Sequence, residues 1–352
     1  MTPRPFPTRV LFPLLAALLS APPPAAAAVV KARIEPFPPK VGRLYAESPR
    51  AVKVVVRDER PADPLVAWGV MGFNKLIGFY VEDPGEVPKA IQRGATDALA
   101  VLGVKEGEGA MLEVAVKELR IDAFAPPFGA LPNEIAYGRV EVALKPAEGE
   151  APPPVPVRIV LYGSKPISVL LARIGWEVAG RAFPGLLGLA PDPEAVRALC
   201  ARLGREKDDD VLEHGATWLG FAGAGEPAAA ERLLALFRTA EDQSVYQAAA
   251  VSLGRLGTPG AEEELDAVLT RKKKLPEWDP AGDAENSWHL LYALHLLGEK
   301  DLAARVPPVE RWREKLTALV GFLESGQLPP EDPKLAPELA KAREKATKKM
   351  KD

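Results

Sequence analysis

Apolar and polar residues alternate through the first half of the chain, and apolar residues recur every three to four positions through the second. Residues 51–57 place Val52, Val54 and Val56 on one side of a strand that Asp58-Glu-Arg-Pro61 ends. Residues 65–82 are two apolar halves around Asn74-Lys75, which predicts a hairpin; its three glycines and Lys75 weigh against the alternative, a loop that touches a membrane. A helix follows over 86–102. Asp83 and Glu86 suit its positive end, Pro88 is tolerated in its first turn and Gly103 closes it. Its stripe of Val87, Ala90 or Ile91, Gly94, Ala98 and Val101 is small in the middle, which permits close packing. Three more strands are expected at 111–121, 134–145 and 155–162, with Leu112, Val114, Val140, Val142, Val157 and Ile159 inward and Glu113, Lys117, Arg139 and Arg158 outward. Such clean alternation predicts an antiparallel sheet with one wet face. A second helix over 166–183, striped by Ile167, Leu170, Leu171, Ile174 and Val178, completes an α+β unit with two helices on one face of the sheet.

Pro184 to Pro193 reads as a linker, and every periodic segment after it is helical: 194–204, 209–222, 228–239, 243–256, 260–271, 285–298 and 309–324. One pattern recurs where three of these end: Trp218-Leu-Gly-Phe-Ala-Gly223, Ser252-Leu-Gly-Arg-Leu-Gly257 and Ala293-Leu-His-Leu-Leu-Gly298. The step from Leu219 to Leu253 is 34 residues and from Leu253 to Leu294 is 41, the second lengthened by an insert at Lys272 to Asp283. Recurring helix pairs predict a short stacked solenoid, a fold that usually binds. The domain expectation is a leader at 1–28, a Pro-rich irregular lead at 29–50, the α+β unit at 51–183, a linker at 184–193, helical repeats at 194–325 and a Pro/Lys-rich tail at 326–352, frayed or solubilising.

Residues 192–300 resemble HEAT-type repeats of the short bacterial class found in phycobilisome lyases. The resemblance rests on the Leu-Gly-x-x-Gly ends at 219–223 and 253–257, the run Ala248-Ala-Ala250, and the acidic starts Asp208-Asp-Asp210 and Glu241-Asp242. It implies an all-α HEAT-like solenoid and no chromophore chemistry. Residues 51–183 resemble YajG-type envelope lipoproteins through a valine-rich strand ending in Asp-x-Arg, Val54-Val-Val-Arg-Asp58-Glu-Arg60, and through the order of elements after it. The Cys that such proteins lipidate is missing, since Cys200 is the only one.

Composition places this fold in a compartment. Arg4 and Arg9 precede an apolar run from Val10 to Leu19, and Ala25 to Ala28 offer a cleavage site, so a secretory signal is expected and the protein is expected in the periplasm or cell envelope, not lipidated. The formal net charge of −3 gives no basic footprint for nucleic acid. No P-loop, dinucleotide fingerprint, nucleophile elbow or zincin motif occurs, so no cofactor and no catalytic residue is expected. His289 and His295 are six apart and share no helical face, and Asp208-Asp-Asp210 fits an N-cap better than a cation loop. The candidate binding residues are Asp58 and Arg60, two apart at a strand end, and Arg271, Lys272, Lys273, Lys274 and Trp278 in the insert, with Trp218, Trp288 and Trp312 as further anchors. The expected partner is a protein held by the repeats, with membrane contact through 65–82 or the basic tail as a second surface. The competing readings are a hydrolase or ligand-processing enzyme with its site at the domain junction and a membrane-associated structural factor.

Overall fold

A computed structural model describes residues 28–32, 36–71, 75–124, 133–163, 167–270, 287–307 and 310–351. Eight strands form one sheet: β1 (Ala28–Lys31), β2 (Ala51–Asp58), β3 (Ala67–Met71), β4 (Lys75–Tyr80), β5 (Lys105–Glu106), β6 (Ala110–Phe124), β7 (Asn133–Lys145) and β8 (Val155–Gly163). The long β6 is its spine. On one side it pairs in parallel with β2, from Val52↔Ala110 to Asp58↔Val116, and further along with β3, from Trp68↔Asp122 to Val70↔Phe124. On the other side it pairs antiparallel with β7, which pairs antiparallel with β8. The expected hairpin forms as the antiparallel pair β3–β4, with the turn residues 72–74 outside the described residues. β1 and β5 add parallel pairings to β4 and β2. The sheet is therefore mixed, not antiparallel. Alternation reports which face a side chain occupies; it does not report the direction of the neighbouring strand.

Helix α1 (Glu86–Val101) and helix α2 (Ile167–Leu187) lie on one face, over Val52, Val54, Leu112, Val114, Val140, Val142 and Ile159. They cross very closely. A Cβ on Gly94 would stand 2.0 Å from the Ala172 carbonyl oxygen, and one on Gly175 would stand 2.3 Å from that of Ile91. α2 runs one turn past the expected stop at Pro184, because a proline forfeits one N–H without ending the helix, and it closes where Leu189 N–H bonds the Pro184 carbonyl at 2.9 Å.

The remaining helices are α3 (Pro193–Leu203), α4 (Asp209–Ala222), α5 (Pro227–Thr239), α6 (Gln243–Leu256), α7 (Ala261–Leu269), α8 (Trp288–Leu296), the single turn α9 (Leu302–Arg305), α10 (Glu310–Ser325) and, after a 3₁₀ turn at Pro333–Leu335, α11 (Ala336–Lys351). Asp192, Asp208 and Asp242 cap α3, α4 and α6 through their side chains; of these the cap at Asp208 was the one expected. α2, α4, α6 and α8 follow one another in an inner row, and α3, α5 and α7 form an outer row. The recurring glycines are the contact points of the inner row. A Cβ on Gly220 would meet Ser252 Oγ at 2.5 Å, and one on Gly254 would meet the Ala293 carbonyl oxygen at 2.6 Å. Gly220 and Gly254 thus each receive the first residue of the next motif.

Two terminal stretches depart from expectation. The lead contains β1, and beyond it Leu44 and Tyr45 are buried between sheet and helices, where Tyr45 Oη donates to the Phe221 carbonyl at 3.1 Å. The tail is the ordered helix α11, and it packs on the face of β1 and β4 opposite α1 and α2. The expected wet face is therefore covered over β1, β3 and β4.

Candidate functional site

β2 ends at Asp58, and Arg60 emerges two residues later on the same side. Its Nε and Nη2 donate to Asp58 Oδ1 and Oδ2 at 2.7 and 2.6 Å, a two-pronged pair. Burial opposes the charge on Asp58, but the hydrogen bonds and charge of Arg60 outweigh it and hold the carboxyl below its ordinary value. The pair fixes the direction in which loop 59–66 leaves the sheet.

That loop opens a gap. The β2 pairing to β6 stops at Asp58↔Val116 and the β3 pairing starts at Trp68↔Asp122, so Lys117–Ile121 faces the loop instead of a strand. A β-bulge between Val116 and Glu118 falls at the same place, where bulges bend a strand and re-aim its side chains. The result is a groove of about 640 Å³. Its floor is Lys117–Ile121 with Arg139, one wall is the loop from Arg60 to Trp68, and the other is Gln327–Pro329 with Glu331 from the C-terminal segment.

The charged side chains lining the groove are held in pairs. Lys117 Nζ stands 2.6 Å from Glu59, Arg139 is 3.4 Å from Glu118, and Asp63 and Glu331 share Arg343 at 2.9 and 2.7 Å. Arg120 is the most constrained. It grips Asp122 at 2.6 and 3.0 Å, donates to the Pro329 carbonyl at 2.5 Å, and its guanidinium lies 4.9 Å from the centre of the Trp68 ring. Burial pushes the Asp122 carboxyl above its ordinary value in spite of Arg120, and burial together with the Asp122 charge pushes up the neighbouring Tyr137 phenol. The groove presents paired charge, with the Trp68 ring in one wall.

Of the residues expected from sequence, Arg60 lines the groove and Asp58 orients it from behind. Arg271, Lys272, Lys273, Lys274 and Trp278 lie outside the described residues. Trp218 and Trp288 are buried among the helices and so are core, not exposed anchors. Arg120, Asp122 and Trp68 were not anticipated. The available signal was the Arg-x-Asp spacing of 120–122, the reverse of Asp58-x-Arg60, which puts both side chains on one face of a strand.

The junction between sheet and helices holds a second polar cluster. Arg173 of α2 pairs with Glu213 of α4 at 2.8 Å, and Glu177 of α2 pairs with Arg255 of α6. The cavity bordered by Arg173, Glu177 and Arg255, with Trp176, Thr217 and Gln247, measures about 30 Å³, room for a single water on the usual scale and far less than an organic substrate needs. Among the described residues no three His, Cys, Asp or Glu are grouped to hold a metal ion. Cys200 is buried, and burial pushes its thiol up to about 11, away from reactivity. No described helix is long and apolar enough to cross a membrane.

No family model and no curated protein matches the chain. Among solved structures, an uncharacterized protein is 13% identical, with 43% of this chain and 92% of that one covered at a TM-score of 0.24. A Xanthomonas campestris protein of the DUF330 family is 12% identical, with 46% of this chain and 94% of that one covered at a TM-score of 0.25.

Proposed function

We propose that the chain is an exported, envelope-associated scaffold that binds protein and performs no catalysis. The observation that carries this reading is the groove at the β6 bulge: about 640 Å³ in volume, floored by Lys117–Ile121 with Trp68 in one wall, and ringed by side chains whose charges are already matched. Recognition of a polypeptide uses such a surface, because its apolar lining, with Leu119 and the edge of Trp68, supplies contact area and locked ion pairs keep their geometry when a partner arrives.

The helices support the same reading. Their two rows, with Gly220 and Gly254 at the inner contacts, fit a short HEAT-like solenoid that begins on α2 of the sheet unit. The leader-like residues 1–28 support export, and the YajG-like opening strand supports an envelope setting. The hairpin at 65–82 offers less to a membrane: Leu65, Trp68, Leu76 and Tyr80 lie against α11.

Photo-crosslinking from a reporter residue at position 328, in the full chain expressed in its source cells, tests the reading. A discrete protein adduct recovered from the envelope fraction is the expected result. Adducts confined to the cytoplasm, or none at 328 and none along the helices, would overturn it.

A further inference from the structure

The C-terminal segment has two tasks in this fold. Residues 327–331 form a wall of the groove, and α11 covers the sheet face of Val29, Leu65, Trp68, Leu76 and Tyr80. Its hold is slight. The seam consists of Leu339, Ala342 and Ala346, with Met350 and Leu335 partly buried at its ends. Two of these three fully buried residues contribute only one methyl each, so little apolar area is buried along the seam.

At the base of the segment Leu328 packs on the main core and Arg120 holds the Pro329 carbonyl at 2.5 Å; along the helix the rest of the attachment is electrostatic and wet. Arg343 reaches Asp63 on the opposite groove wall at 2.9 Å and Glu331 within its own segment at 2.7 Å, and all three side chains are about a third exposed, at 31%, 37% and 41%. Hydrogen bonds to Glu331 and Asp63 raise the Arg343 pKa further, so its guanidinium stays charged, and so exposed a latch responds to salt. Lys349 adds one bond to the Val29 carbonyl at 2.9 Å. The connection back to α10 is Gly326, at φ 72, followed by a run with three prolines before α11, a semi-rigid tether that permits detachment without melting α10.

We infer that residues 327–351 are a releasable strap, whose departure opens the groove and bares a docking face for an amphipathic helix of a protein partner. The strap itself is the template for that partner: a leucine (Leu339), then small residues three and seven positions on (Ala342 and Ala346), with an arginine beside the first of the two. The face lies close under the strap: a Cβ on Gly78 would be in ordinary contact with Ala342 Cβ, at 3.6 Å. What finally occupies the face rests on the scaffold reading; release of the strap does not, and is measurable with no partner present.

The test uses the full chain. In an Ala346→Cys variant, the rate of labelling by a thiol reagent reports strap opening, and buried Cys200 in the same molecule reports global unfolding. The thiol introduced on the strap should label at least about 100-fold faster than Cys200, as sub-global opening requires, and faster again in high salt. Equal rates would overturn the inference. The Gly78→Cys/Ala342→Cys pair, at a Cβ separation suited to a disulfide, locks the strap. A fluorescein-labelled peptide of residues 333–351 should bind a full chain detached by Leu339→Asp and fail to bind the oxidised, locked chain. If the detached chain keeps its melting transition yet ignores the peptide, the docking face is refuted, while the groove and the scaffold reading stand on the crosslinking result.

Discussion

The sheet is covered on both faces, but by coverings of opposite character. On the front, α1 and α2 press backbone to backbone at Gly94 and Gly175 and join a single apolar core that runs on through α4, α6 and α8. On the back, α11 closes a separate small core with one leucine and two alanines and completes the attachment with exposed ion pairs. Close backbone packing is unforgiving and cooperative, whereas a thin seam with a salt latch opens on its own. The difference assigns stability to one face and accessibility to the other.

Glycine substitutions break this contrast most sharply. Gly94→Leu or Gly175→Leu forces a side chain into backbone atoms that cannot retreat, and should cost more than about 4 kcal/mol, leaving no folded protein in a urea titration. Gly78→Ala beneath α11 meets only the end of Leu65 at 3.0 Å and Ala342 at 3.6 Å, and should cost under about 1 kcal/mol. A comparable loss at both sites would erase the distinction.

Leu339→Ala comes next. Removing the one large side chain of the seam should weaken α11 docking by about 2–3 kcal/mol, seen as increased proteolysis after residue 326 with the main urea midpoint unchanged. A shift of the main midpoint by the same amount would show that the strap belongs to the front core.

Acid should act on the front core. His289 is fully buried and neither ring nitrogen has a hydrogen-bond partner among the described residues; burial holds its pKa well below 6.5. The unfolded chain takes up a proton near pH 6.5 that the folded chain refuses, so stability is present above that pH and falls as pH drops through it. The slope should be up to about 1.4 kcal/mol per pH unit. His289→Phe, which keeps the ring contacts with Tyr246 and Trp288, should flatten the slope between pH 6.5 and 5. An unchanged slope would place the acid sensitivity elsewhere.

Arg343→Ala is the smallest change. An exposed pair is worth about 0–1 kcal/mol, so the variant should loosen α11 only a few-fold and remove most of the salt dependence of its opening. Retained salt dependence would reassign the latch.

Much of the front was legible in the sequence. The stripe ending at Val101, the alternating valines of β6 and β7 and the motif glycines each signal burial by period alone. The back was not. α11 reads Leu339-Ala-Lys-Ala-Arg-Glu-Lys-Ala346, and a seam of alanines among lysines has the composition of a solubilising tail. Only the facing surface of Trp68, Leu76 and Tyr80 makes those alanines core. The groove escaped for a related reason. Arg60 was visible at a strand end, but the wall at 327–331 comes from about 265 residues further along, and no local pattern joins the two. The parallel pairings of β2 and β3 to β6 were hidden because the alternation of side chains is the same in either direction.

Native-state amide hydrogen exchange followed by mass spectrometry, at low and high salt, measures the contrast between the two coverings most directly. The account predicts that peptides from α11 exchange at least about 100-fold faster than those from α1 and α2 and accelerate with salt, while the front helices do not respond. Equal protection of α11 and α1 at both salt concentrations would contradict it.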